Sequence, residues 1–183
     1  TMLVAGCSCV ITTVLTLMVA YVYSRLRFPS RRFLMNASLV LGMFPGFMSI
    51  IAIYHFMKAV SLDQTLLALI LVYSGGAALN YYIAKGYFDT IPKSLDEAAI
   101  LDGASNHTIF WRIILPNSKP VIATTAINAF INPIVDFIFV SVIMKDNYSN
   151  FTVAKGLYTM VDKTNIYEYY TVFCAGAVLV AIP

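Results

Sequence analysis

Charge is what this sequence has least of. Only 11% of its 183 residues are Asp, Glu, Lys or Arg, against 60% hydrophobic, where soluble domains carry about 25% charged residues. A chain so short of charge cannot coat a globule with polar groups, which excludes an ordinary soluble domain and points to an integral membrane protein. Cysteine and histidine are scarce too, at 3 and 2. Cys7, Cys9 and Cys174 all stand in apolar runs and read as small buried hydrophobes rather than as a disulfide or metal set. His55 and His107 are isolated and read as structural. No metal-ligand spacing occurs. A net charge of +3, spread over loops rather than gathered on one face, argues against nucleic acid as a partner. No G-x-x-x-x-G-K-[ST] phosphate loop is present, so the chain has no such nucleotide site of its own. No basic leader precedes the apolar opening, and nothing reads as a signal peptide.

What is abundant is apolar sequence in long runs, at roughly 2–23, 37–57, 63–84, 121–144 and 167–183. The first four are long enough to span the hydrocarbon at 1.5 Å per residue. Nothing alternates with period two, so a helical bundle is the expected architecture. The last run falls short of the ~20 residues a crossing needs, and the chain opens inside an apolar run. Both ends read as cut from a longer chain.

Basic residues orient the spans. The connection 24–36 carries Arg25, Arg27, Arg31 and Arg32 without an acid, and the connection 85–120 carries Lys85, Lys93, Arg112 and Lys119. Alternation puts both on one side, with Lys58, Lys145, Lys155 and Lys163 on the other. Loops 24–36 and 85–120 are therefore expected in the cytoplasm. Tyr21, Tyr23, Tyr81, Tyr82 and Tyr87 fall where spans meet headgroups and read as an aromatic belt.

The segment 85–120 is a long, comparatively polar connection between two apolar runs. Ser94 and Glu97 have capping-box spacing behind Pro92, which predicts a helix from Leu95 to Asp102. Gly103 suits a left-handed residue past its end. Asn106 can cap a second short helix bearing Ile109, Phe110, Ile113 and Ile114, ended by Pro116, and Pro120 opens the next span. Ala98 and Ala99 remove bulk, so the helix can sink into a groove on another protein, with Asp96 and Glu97 offering negative charge to a basic wall. The other reading is a plain amphipathic surface helix whose Glu97 is used in its own cap.

Glu97-Ala98-Ala99, three residues, Gly103, nine residues, then Ile113-x-Leu115-Pro116 resembles the EAA loop of ABC importer permeases, matched at every position. Along nearly the whole chain, "RLRFPS", "LGMFPGFMSI", "YSGGAALNYYIAKGYFDTIPKSLDEAAILDGA" and "FTVAKGLYTM" are similar to the smaller permease of maltose/maltodextrin-type sugar importers. The resemblance implies an all-α, polytopic bundle of the type I importer kind in a bacterial cytoplasmic membrane, one permease domain over 1–183. About five of the family's six spans would be present. It implies that loop 85–120 forms coupling helices seated in a cleft of a separate, dimeric ATP-hydrolysing subunit, where ATP and Mg are bound. Glu97, Ala98, Ala99 and Gly103 would belong to the docking helix and its turn, Leu115 and Pro116 to the link onward. A second permease and an extracytoplasmic sugar-binding protein complete the implied partners, with segment 145–166 facing the latter.

Asp136, in "NAFINPIVDFIFV", is the only acid in the interior of an expected span, Asp63 and Glu168 standing at the edges of theirs. Such a group lines a bundle interior or a water path by default. Asn128 and Asn132 lie eight and four residues before it, on the same helical face. The three form either a polar stripe along a translocation path or a set of interhelical hydrogen bonds; a secondary transporter coupling ions at Asp136 is the rival mechanism, and a scaffold without transport a third. Gly75-Gly76-Ala77-Ala78 suggests close helix approach, and Pro45-Gly46 a kink. Tyr158, Tyr167, Tyr169, Tyr170 and Met160 suit either sugar stacking or interface anchoring.

Overall fold

The computed structural model describes residues 1–43, 46–75, 81–145, 147–161 and 166–181. Among them the chain is helical throughout: α1 (Met2–Arg25), α2 (Arg31–Met43), α3 (Gly46–Ala59), α4 (Leu66–Gly75), α5 (Tyr81–Thr90), α6 (Lys93–Leu101), α7 (Asn106–Ile109), α8 (Lys119–Val135), α9 (Ile138–Met144), α10 (Val153–Met160) and α11 (Ile166–Ala181). A π turn at Phe110–Ile114 and a 3-10 turn at Pro116–Ser118 lie between α7 and α8.

The expected spans are less continuous than hydropathy suggests. Among the described residues α1 is the one helix long and apolar enough to cross a membrane, or one of three if each bent pair counts as a span. Run 121–144 is broken where α8 and α9 meet at 58°. Run 37–57 divides between α2 and α3, with Pro45 outside the described residues, and run 63–84 divides between α4 and α5, with Gly76, Ala77 and Ala78 likewise outside. At Gly75, the one described member of that patch, no close approach is seen among the described residues, since a Cβ there would meet nothing within 4 Å. It occurs instead at Gly176 of α11, where a Cβ would come 2.7 Å from Leu157 of α10.

The chain forms two compact units. One comprises 1–8, 46–73 and 130–183. Its core gathers Val4, Met57, Leu69 and Tyr73 with Val140, Ile143 and Met144. Asn147 and Asn150 each donate a side-chain N–H to the Gln64 carbonyl, at 3.1 and 3.2 Å, closing the loops around that core.

The other unit, 9–45 and 74–129, contains the segment singled out above. Its core joins Leu17, Tyr21 and Tyr23 of α1 to Tyr81, Ala84 and Phe88 of α5, and these to Ala99, Ile109, Phe110, Ile114 and Val121. Of the tyrosines expected as a headgroup belt, Tyr21, Tyr23 and Tyr81 lie in this core, and Tyr82 and Tyr87 pack half-buried against it. Tyr21 packs on Phe110 and Tyr23 on Tyr81, ring centroids 5.0 Å apart in both pairs. Three phenols find backbone partners, as amphipathic rings tend to: Tyr21 donates to the Asn106 carbonyl at 3.1 Å, and Tyr81 and Tyr82 to that of Met35. The cysteines also differ from expectation. Cys7 and Cys174 are exposed, and Cys9 donates its thiol to the Ala126 carbonyl at 3.2 Å.

Candidate functional site

The polar segment folds as a knuckle of two helical pieces around Gly103. α6 begins at Lys93 with Pro92 in the N-cap position and no side-chain cap. The expected capping box is therefore not formed. The ring of Pro92 presets a helical φ and starts the helix early, so Ser94 already lies inside the first turn. The far end matches its expectation. Gly103 has φ +81°, its N–H bonds the Ile100 carbonyl at 3.0 Å, and that of Ala104 bonds the Ala99 carbonyl at 2.9 Å. This pair of bonds is a Schellman motif.

α7 is capped by Ser105, one residue before the expected Asn106; its hydroxyl accepts from the Thr108 N–H at 3.3 Å. Pro116 does not end the helix but reshapes it. Leu115 bonds back five residues to Phe110 at 3.0 Å, the π turn, and a 3-10 turn follows. Side chains reinforce this stretch: Asn117 Nδ2 donates to the Ile113 carbonyl at 2.8 Å and Ser118 Oγ to the Ile114 carbonyl at 2.6 Å. Ile113 and Leu115 are half-buried, Ile114 between them is fully buried and Pro116 is exposed. The motif's apolar end therefore anchors the knuckle to its own core.

The two alanines are divided. Ala99 is buried against the unit's core, while Glu97 and Ala98 are exposed with Ser94 and Leu101, and Leu101 is 88% exposed. Asp96 is not free to offer its charge outward. Its Oδ2 lies 2.8 Å from Arg25 Nε at the end of α1, both side chains being largely buried. Arg25 also donates to the Ile91 carbonyl at 2.9 Å. Beside it, Asp89 accepts from Ser24 and from Lys85, each at 2.6 Å. Burial pushes the Asp96 carboxyl above its ordinary range, more than Arg25 pulls it down. For Asp89 partial burial is outweighed by the bonds from Lys85 and Ser24, which hold it below.

Sequence reasoning missed this lock. Arg25 was legible only as an orienting charge, and the signal that it pairs with α6 is spatial.

The second candidate set lies on α8 and after it. Asn128 and Asn132 are exposed and Asp136 is half-buried. Asp136 Oδ1 accepts from the N–H groups of Ile138 and Phe139, at 2.9 and 3.2 Å, and its Oδ2 from the Tyr73 hydroxyl at 3.2 Å. The carboxylate thus satisfies the first N–H groups of α9, the role of a capping residue, and ties that corner to α4. Tyr158 stacks on Phe137 at 4.7 Å. Among the described residues no group of three or more His, Cys, Asp or Glu stands together.

Comparison with known proteins bears on this geometry. The model of the family described as "Binding-protein-dependent transport system inner membrane component" matches residues 12–182. The galactooligosaccharides transport system permease protein GanQ of Bacillus subtilis is 41% identical over 165 residues, 90% of this chain and 58% of GanQ. The maltodextrin transport system permease protein MalD of Streptococcus pneumoniae is 35% identical, over 100% of this chain and 65% of its own. The maltose/maltodextrin transport system permease protein MalG of Escherichia coli is 34% identical, over 98% and 62%. The chain thus spans 58–65% of the length of these relatives. A solved bacterial ABC transporter involved in the import of the acidic polysaccharide alginate has the same fold, with TM-score 0.80 at 20% identity over 97% of this chain and 65% of that one. The all-helical fold is that of an ABC importer permease, and the chain belongs to the family of binding-protein-dependent transport system inner membrane components.

Proposed function

We propose that this chain is the permease subunit of an ATP-driven oligosaccharide importer, and that α6 with its Gly103 turn is where a separate ATPase engages it. The observation that carries this reading is the construction of the knuckle. Its inner side is fixed to α1, α5 and the start of α8 by one shared core. Its outer side leaves Glu97, Ala98 and Leu101 uncovered. A projection that is anchored behind and exposes Ala98 and Leu101 with the acids Glu97 and Asp102 is suited to sit in a groove and pass a push to the helices behind it.

ATP and Mg belong to that partner, which is a dimer; a second permease and an extracytoplasmic sugar-binding protein complete the assembly. Loops 24–36 and 85–120 face the cytoplasm, and segment 145–166 the opposite side. The names of the relatives support an oligosaccharide as cargo, a maltodextrin or a galacto-oligosaccharide. Asn128 and Asn132, exposed on α8, are the polar groups offered to a translocation path. Asp136 stands beside them as a helix cap, so an ion-coupling role for it has no support.

The test is to reconstitute the complete complex with Glu97→Ala or Gly103→Val. At φ +81° a β-branched residue is strained by about 1–2 kcal/mol, although a Cβ there meets no atom within 4 Å. The complex should assemble, yet sugar-stimulated ATP hydrolysis and uptake should fall together by roughly tenfold or more. Normal stimulation and uptake in both variants would remove the coupling role.

A further inference from the structure

Between α1 and α2 the chain reads Arg25-Leu26-Arg27-Phe28-Pro29-Ser30-Arg31-Arg32, and the stretch 24–36 holds no acid. Arg27, Arg31 and Arg32 line a cleft of about 730 Å3 together with Phe28, Pro29 and Met35. Two features make this more than a basic loop. Arg31 and Arg32 occupy the first turn of the 13-residue α2, which has no acidic residue there. Cations at a helix N-terminus stand against the positive end of the helix dipole, and a bound anion would offset that repulsion. In addition, Arg31 is half-buried and its covered Nε has no hydrogen-bond partner among the described residues, which is costly for a guanidinium. The acids of the same unit are committed elsewhere. Asp96 pairs with Arg25 and Asp89 with Lys85, while Glu97 and Asp102 are exposed on and just after α6.

We propose that the cleft between Arg27 and Arg32 is a binding site for a phosphate group, carried by an anionic phospholipid headgroup or by free phosphate. Guanidinium forks match phosphate oxygens two at a time, and a helix N-terminus adds N–H donors. On the sidedness proposed above, the cleft lies at the headgroup level of the inner leaflet, where basic clusters attract anionic lipid. The exposed Phe33, Leu39 and Val40 of α2 supply apolar surface for acyl chains, so the lipid is the favoured source.

The assembled transporter carrying the full-length protein is extracted into detergent. Native mass spectrometry then counts phosphatidylglycerol and phosphatidylcholine retained at matched concentrations, and a separate arm titrates inorganic phosphate alone. The wild type should retain phosphatidylglycerol preferentially, and Arg31→Gln with Arg32→Gln should weaken retention roughly fivefold per arginine. Arg31→Lys, which keeps the charge but not the fork, should lie between, and Lys58→Gln on another connection should change nothing. Binding of inorganic phosphate without lipid preference identifies free phosphate as the source. Retention that is equal for the two lipids and unchanged in the double variant, with no phosphate binding, overturns the proposal. If the double variant does not assemble, wild type and Arg31→Lys decide it by the same comparison.

Discussion

The guanidinium of Arg25 is 5% exposed and the carboxylate of Asp96 13%, so neither charge is in water. Removing one partner of such a pair leaves the other stranded, at a cost of about 3–5 kcal/mol, whereas replacing both with apolar groups is often neutral. Arg25→Met should therefore lower the thermal stability of the assembled complex sharply, and Arg25→Met with Asp96→Leu should recover most of the loss. Equal destabilisation by the single and double variants would mean the pair does not hold α6 to α1.

Asp89 carries the opposite pH sign. Its carboxyl is held below its ordinary 3.8, so its contribution is present above that value and is lost as pH falls below it. An acid titration of stability should show this component in the wild type and not in Asp89→Asn. A wild-type curve that parallels the variant's through that window would contradict the assignment. Of these residues the sequence shows only that α1 ends in basic charge and that acids precede Ala98. Which acid turns inward is set by how α6 packs against the end of α1, and the apparent cap at Ser94 gives no sign of it.

At the scale of elements, the corner between α8 and α9 shows what an apolar run conceals. Hydropathy sees one span at 121–144. The backbone changes direction by 58° there, with Pro133 inside α8 and Asp136 capping α9. An acid in an oily run reads as a functional charge because hydropathy has no term for a cap. Asn can accept the same N–H bonds, so Asp136→Asn should keep concentrative uptake close to the wild-type rate. Asp136→Leu leaves them unmet and should destabilise by about 1 kcal/mol. Loss of uptake in a stably assembled Asp136→Asn complex would revive the ion-coupled mechanism.

The knuckle was better legible. Gly103 has no other use at φ +81° than to close a helix, and the sequence marks that position plainly. The π turn was not legible, because nothing in the residue pattern marks the bond from the Leu115 N–H back five residues to Phe110.

For the whole molecule, composition alone gives a helical membrane protein, and the spacing from Glu97 to Pro116 gives its kind. The cargo is legible in neither. What the fold adds is a division of labour between neighbours in the motif: Ala99 holds the knuckle to its own core and Ala98 faces outward. That division makes the docking proposal directly testable. Single cysteines are placed at Ala98 or at Ala99 in the full-length protein, with Cys7, Cys9 and Cys174 replaced by alanine, and the assembled transporter is treated with a short thiol cross-linker. Position 98 should capture the ATPase subunit from the cytoplasmic side and position 99 should not. Failure of position 98 to capture that subunit in an assembled complex, or its labelling from outside the membrane, would contradict the account.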